Sequence, residues 1–185
     1  LGDGIVGQMV EPFYPTPYIK PELPEKDWIL DGCKDRAPRV IKSLYMGDGE
    51  LEMRSNLLQE KYKTMKNKEA LFESRYTDDA EVIVVAFGIV ARIALSSVMR
   101  LRRKGFKVGL YRPVTLFPFP EKELFSLSGE NRRFLTIEMN AGQMFEDVKL
   151  AINGRSEVFF HGRTGGSIVT PEEVEEKILH LMSHQ

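Results

Sequence analysis

The chain has 185 residues, 42% hydrophobic and 29% charged, with a formal net charge of −1. That length builds one core of ordinary size or one domain with an appendage, and the hydrophobic share excludes wholesale disorder. Near-neutral charge argues against nucleic-acid binding through a broad basic surface. The single cysteine, Cys33, excludes an internal disulfide framework, an all-cysteine zinc site and a self-contained iron–sulfur cluster.

The three histidines, His161, His180 and His184, lie near the C-terminus and supply no HExxH pair. The longest apolar run, Val82 to Val90, is too short to span a bilayer and is broken by Gly88. These features describe a soluble, cytoplasmic protein with no membrane and no nucleic acid as partner. Leu1 to Gln8 reads as the end of one element and the start of another, as expected for the C-terminal piece of a larger subunit.

Six of the ten prolines fall between Pro12 and Pro38. Each fixes φ and removes a backbone donor, so residues 12–50 are expected to form a semi-rigid extended connector. Such a connector could wrap over a neighbouring domain, with Trp28, Ile29 and Leu30 as anchors. From 51 to 78, Leu57, Leu58, Tyr62, Met65, Ala70, Leu71 and Phe72 approximate a helical stripe among Glu60, Lys61, Lys63, Lys66 and Lys68. The spacing predicts one long linking helix there.

From Asp79 the pattern changes. Val82–Phe87 is a continuous β-branched and aromatic run, the signature of a strand buried on both faces, ended by Gly88. Ala91, Ala94, Leu95, Val98 and Leu101 follow at helical spacing, with Gly105 where a C-cap belongs. Lys107–Tyr111 is a second strand, and a short helix starts at Pro120. Arg133–Ile137 is a third strand, Gln143–Ile152 a helix, and Glu157–Phe160 a fourth strand. Thr170-Pro-Glu-Glu173 is a capping-box helix start, with Val174, Ile178 and Leu181 as the buried stripe.

Four strand–helix units in succession predict an α/β domain with a mainly parallel sheet flanked by helices, over residues 79–185. In such sheets ligands and partners sit beyond the carboxyl ends of the strands. Arg112, Glu138, Asn140, Gln143, Arg163 and Thr164 cluster at those ends. They are the candidate crevice residues, with no catalytic residue and no metal ligand assigned among them.

Each has a functional and a structural reading. Gly162-Arg-Thr-Gly-Gly166 could present a guanidinium and backbone donors to a phosphate or carboxylate, or form a tight loop whose arginine pairs with a neighbouring chain. Glu138 with Asn140 and Gln143 could contact a ligand or hold structure by hydrogen bonds. Arg112 could aim into the crevice or pair with Glu138. Arg100, Arg102, Arg103 and Lys104 close a helix C-terminus and read as a solvated face. Phe117-Pro-Phe-Pro120 reads as a packing loop. Gly-Asp-Gly occurs at 2–4 and 47–49 without a completing asparagine, so both copies read as turns.

The segments taken together resemble the α-type catalytic subunit of the 2-oxoacid:ferredoxin oxidoreductases. The resemblance runs through Gly7-Gln-Met-Val-Glu-Pro12, Val85-Ala-Phe-Gly88 and Arg112-Pro-Val-Thr-Leu-Phe-Pro-Phe-Pro120. It continues through Glu138-Met-Asn-Ala-Gly-Gln-Met144 with Glu146-Asp147, and Gly162-Arg-Thr-Gly-Gly166. With Tyr62 and the charged helix, the set looks most like the branched-chain branch, the 2-oxoisovalerate (3-methyl-2-oxobutanoate):ferredoxin oxidoreductases. The resemblance implies that residues 1–11 end a pyrimidine-binding domain and that 79–185 are a transketolase C-terminal-like domain.

It also implies, for the full enzyme, thiamine diphosphate, Mg²⁺, iron–sulfur clusters and coenzyme A as co-substrate. The implied partners are a thiamine-binding β-type subunit, an iron–sulfur subunit and ferredoxin, in an oligomer. This piece is then a non-catalytic assembly domain, inactive alone, holding no cofactor itself, whose crevice residues help shape the approach of coenzyme A or substrate. The alternatives are a 2-oxoglutarate or pyruvate ferredoxin oxidoreductase subunit, a flavodoxin-like nucleotide-binding module, and a purely structural module.

Overall fold

The computed structural model describes residues 4, 6–8, 10, 12 and 14–183. The chain divides into two compact units, residues 10–61 and residues 62–185, the latter with 1–9. Gly2 and Asp3 of the first Gly-Asp-Gly and most of the 1–11 tail lie outside the described residues.

Helix α1 spans Glu50–Lys68. Its first turn carries Glu50 and Glu52 and its last Lys66 and Lys68, the charge order that the helix dipole favours. Gly47 and Gly49 form its entry turn: the Glu50 N–H reaches the Gly47 carbonyl at 3.1 Å and the Glu50 carboxylate accepts from the Gly47 N–H at 3.2 Å. That is the turn expected of the second Gly-Asp-Gly.

The helix is shorter than its expected 51–78. Residues Phe72–Arg75 form strand β1 instead, antiparallel to β3 (Val108–Pro113) with Glu73 opposite Arg112. Phe72 was counted in the helical stripe, but its ring stacks on Tyr111 at 5.4 Å. Four ladder positions and that stack outweigh a local pattern in which no residue of α1 is buried.

The remaining strands are β2 (Val82–Val85), β4 (Arg133–Glu138) and β5 (Glu157–Gly162). The sheet order is β1-β3-β2-β4-β5, parallel except for β1. Helices α2 (Gly88–Arg103), α3 (Glu121–Leu127), α4 (Gln143–Ile152) and α5 (Pro171–Ser183) connect and close it.

Strand alternation sorts the core into two layers. Val82, Val84, Leu110, Leu135 and Ile137 pack against α2 and α5. Ile83, Val85, Tyr111 and Phe134 pack against α3 and α4. All four residues of β2 are buried, as a strand covered on both faces requires. The predicted Gly105 C-cap is present at φ +91°, its N–H on the Arg102 carbonyl.

The basic end of α2 is not the solvated face expected of it. Arg100 Nε lies 2.7 Å from Glu175 of α5, and Lys104 also faces Glu175. Arg102 donates to the Val108 and Tyr76 carbonyls and clasps Asp79 at 2.7 and 2.9 Å, tying the β1–β2 turn to the helix. That bidentate clasp, most directly through its hydrogen bonds, holds the Asp79 carboxyl below its ordinary range. Arg100, Arg102 and Lys104 are tied to neighbouring elements that converge at that corner, while Arg103 remains exposed.

Candidate functional site

The chain leaves β2 toward β3 on one side, then returns past β2 to β4 on the other. The connections after β2 and β4 therefore enter helices on opposite faces, opening a crevice between Phe87-Gly88 and Met139-Asn140.

The β4 side of that crevice is built around a helix start. Glu138 is 1% exposed at the end of β4. Its carboxylate accepts the Met144 and Phe145 N–H groups, each at 2.9 Å, and the Asn140 side-chain amide at 2.9 Å. The Asn140 side-chain oxygen Oδ1 accepts the Gly142 and Gln143 N–H groups at 2.7 and 3.0 Å. Two side chains thus satisfy four consecutive donors at the N-terminus of α4, and the buried carboxylate meets the positive end of the helix. Both Glu138 oxygens are occupied, so the acid is not presented to the crevice as a base. Gln143 enters through its backbone, and its side chain lies on an exposed residue.

The β5 side is tied to it through the main chain: the Arg163 N–H reaches the Glu138 carbonyl at 3.1 Å. The Arg163 guanidinium pairs with Glu173. The other Glu173 oxygen accepts the Thr170 N–H at 3.0 Å, and Thr170 Oγ1 accepts the Glu173 N–H at 3.3 Å. This is the predicted capping box, with an arginine added to its glutamate. Thr164 is exposed, its carbonyl accepting the Ser167 N–H through a turn over Gly165 and Gly166. Gly162 admits no side chain: a Cβ would lie 2.5 Å from the Asn140 carbonyl oxygen and 2.4 Å from the Phe160 ring.

Arg112 does not join this group. It lies on β3, beyond β2, and donates to Glu73 of β1 at 3.1 Å. The alternative pairing with Glu138 is therefore not formed. The structure brings Glu138, Asn140 and the backbone of Gln143 into one network, attaches Arg163 through its backbone, and leaves Arg112 and Thr164 apart. Both crevice guanidiniums have a carboxylate partner.

Glu73 carries no sequence signal, because its role depends on a cross-strand pairing; Glu173 is the expected capping-box glutamate, and only its pairing with Arg163 is beyond any local pattern. His161, near the carboxyl end of β5, is half-buried with no hydrogen-bond partner at Nε2. Burial first, then Lys177 and Arg163, hold that imidazole below its ordinary range, against a smaller opposing effect of Glu176. Among the described residues no group of three His, Cys, Asp or Glu is placed to hold a metal. A cavity of about 490 Å³ lies at the opposite, amino end of the strands, bordered by Glu81, Glu130, Arg132, Arg133 and Glu157.

Residues 80–174 match the family described as pyruvate:ferredoxin oxidoreductase core domain II. The ketoisovalerate oxidoreductase subunit VorB of Methanothermobacter thermautotrophicus is 37% identical over 96% of this chain and 50% of its own length. The 2-oxoglutarate synthase subunit KorA of Methanothermobacter marburgensis is 35% identical over 57% of this chain and 28% of its own. In structure, the 2-oxoglutarate:ferredoxin oxidoreductase from Magnetococcus marinus, solved with 2-oxoglutarate, coenzyme A and succinyl-CoA bound, aligns with a TM-score of 0.59. It is 19% identical over 89% of this chain and 28% of that one, a likeness of fold. The chain spans about half the length of the VorB relatives it matches. The α/β fold with its mainly parallel sheet and the family match over 80–174 agree: the chain belongs to the pyruvate:ferredoxin oxidoreductase core domain II family.

Proposed function

We propose that this chain is the C-terminal half of the α-type subunit of a cytoplasmic oxidoreductase. That enzyme decarboxylates a branched-chain 2-oxo acid, 2-oxoisovalerate, to its acyl-CoA with reduction of ferredoxin. The branch is supported by the VorB relatives, aligned over nearly the whole chain at 36–37% identity. Relatives named for 2-oxoglutarate are 35% identical over 57% of it, or 28% identical over 95%. The flavodoxin-like alternative has no observation in its favour, since the arginine of its glycine loop is taken by Glu173.

Within that enzyme the residues present do not fit a thiamine diphosphate–Mg²⁺ site. The one carboxylate–amide pair at the crevice, Glu138 and Asn140, is consumed in capping α4. The single cysteine likewise supplies no cluster ligand set. The role assigned here is assembly. The helix start of α4 and the Arg163–Glu173 pair stiffen the carboxyl edge of the sheet into a surface against which the β-type and iron–sulfur subunits pack.

The observation that carries this role is that the charged crevice groups Glu138 and Arg163, and Arg112 apart from them on β3, all have internal partners. Arg112→Ala and Arg163→Ala in the assembled enzyme test it. Unchanged KM for coenzyme A and for the oxo acid, with weaker subunit association, is the expected result. A severalfold rise in KM for coenzyme A with intact assembly would assign the crevice to substrate approach.

A further inference from the structure

Residues 27–39 form a small cinched loop within the unit of residues 10–61. Arg39 pairs with Asp27 across its neck. Inside it, Arg36 donates to the Ile29 carbonyl at 2.5 Å and to Asp31 at 2.7 Å, and Asp31 accepts the Cys33 N–H at 3.0 Å. The turn closes through Gly32, Cys33 and Asp35 at positive φ, a cost for the two non-glycine residues that these bonds offset.

Four polar side chains of the loop, Asp27, Asp31, Arg36 and Arg39, are engaged within it, while Trp28, Ile29 and Leu30 face out. Trp28 is 55% exposed, Ile29 47% and Leu30 fully so at 105%. A solvated loop displays the opposite arrangement. Three consecutive apolar side chains on a preformed scaffold lose little conformational freedom on docking, which is the property of an interface anchor.

We propose that the Trp28-Ile29-Leu30 knuckle docks into an apolar pocket on the other half of the same subunit, the half its relatives possess and this chain does not span. The inference rests on the proposed function's reading of the chain as half of a larger subunit. One observation selects that occupant, and two describe how the knuckle is presented to it. The chain covers 50–51% of the VorB relatives, leaving about as much polypeptide again to receive it. Pro21 and Pro24 before the loop and Pro38 after it stiffen both of its arms. The approach segment carries Tyr18 and Ile19, both exposed. Docked with the knuckle, these five side chains would bury on the order of 600 Å². A specific interface buries about 800 Å² per partner.

The test uses the full-length subunit, purified with the chains that accompany it. Limited trypsin digestion reads cleavage at Lys26, Lys34 and Arg36, and amine cross-linking with mass spectrometry reads what lies beside Lys26 and Lys34. Mixing isotopically labelled and unlabelled subunits separates links within one polypeptide from links between copies. The expected result is slow cleavage, cross-links to the same polypeptide outside these 185 residues, and cleavage about tenfold faster in Leu30→Asp. Leu30 is fully exposed, so that substitution spares the folded units.

Equal cleavage rates in the two proteins, or cross-links only to a second copy or a different chain, would overturn the proposal. Oxo-acid turnover on the same preparation separates the two readings. Turnover with an unprotected loop removes the docking alone, and docking without turnover removes the functional reading alone.

Discussion

Replacing Glu138 by alanine removes the acceptor for two helix donors and one amide at once. The Met144 and Phe145 N–H groups each lose a 2.9 Å bond, and Met144 is buried. A buried donor left without a partner costs about 1–3 kcal/mol. The pair, with the lost favourable charge at the helix N-terminus, comes to about 3–5 kcal/mol. Glu138→Gln keeps one acceptor oxygen but turns an amide NH₂ toward a helix N–H, so it should recover part of that and still cost about 2 kcal/mol. Urea unfolding followed by circular dichroism reads both. With a slope of about 2 kcal/mol per molar, the alanine variant's midpoint should fall by about 1.5–2.5 M. A loss under about 0.5 M in both variants would refute the assignment of Glu138 as the α4 cap.

Two further outcomes follow from the same edge of the sheet. Gly162→Ala should destabilise by about 2–3 kcal/mol, because its Cβ meets the Asn140 carbonyl oxygen at 2.5 Å, a backbone atom that cannot swing away; a neutral melting temperature would contradict the close approach of β5 to the β4–α4 turn. The depressed His161 imidazole resists a proton that the unfolded chain accepts. Its contribution is therefore complete above the ordinary histidine range near 6.5 and is lost as pH falls through it. His161→Gln should flatten the decline in stability between about pH 7 and 5; an unchanged slope would remove His161 as its source.

Strands β2, β3 and β4 were legible in the sequence because each is a largely buried run with its own helix behind it, and β5, which buries no residue, was legible from its short apolar segment ahead of the capping box. The capping box was legible because Thr170 and Glu173 stand three apart in one segment. Strand β1 was not. Phe72-Glu-Ser-Arg75 has no strand alternation, and what makes it a strand is its ladder to β3 and the stack of Phe72 on Tyr111. The misreading carried into the site: without β1 there is no Glu73, so Arg112 had only the crevice or Glu138 as partners. Glu138 itself was recognised as important for its place at a strand end. Its role depends on a turn that brings residues 144 and 145 back onto it, a tertiary relation no spacing rule encodes.

The central claim concerns the enzyme of which this domain is a part. The full-length subunit, purified anaerobically with its accompanying chains, should reduce viologen in the presence of coenzyme A, thiamine diphosphate and a panel of 2-oxo acids. The account predicts turnover that prefers 3-methyl-2-oxobutanoate. Preference for 2-oxoglutarate or pyruvate would contradict the branch assignment, and no reduction with any oxo acid, given intact partners and clusters, would contradict the oxidoreductase itself.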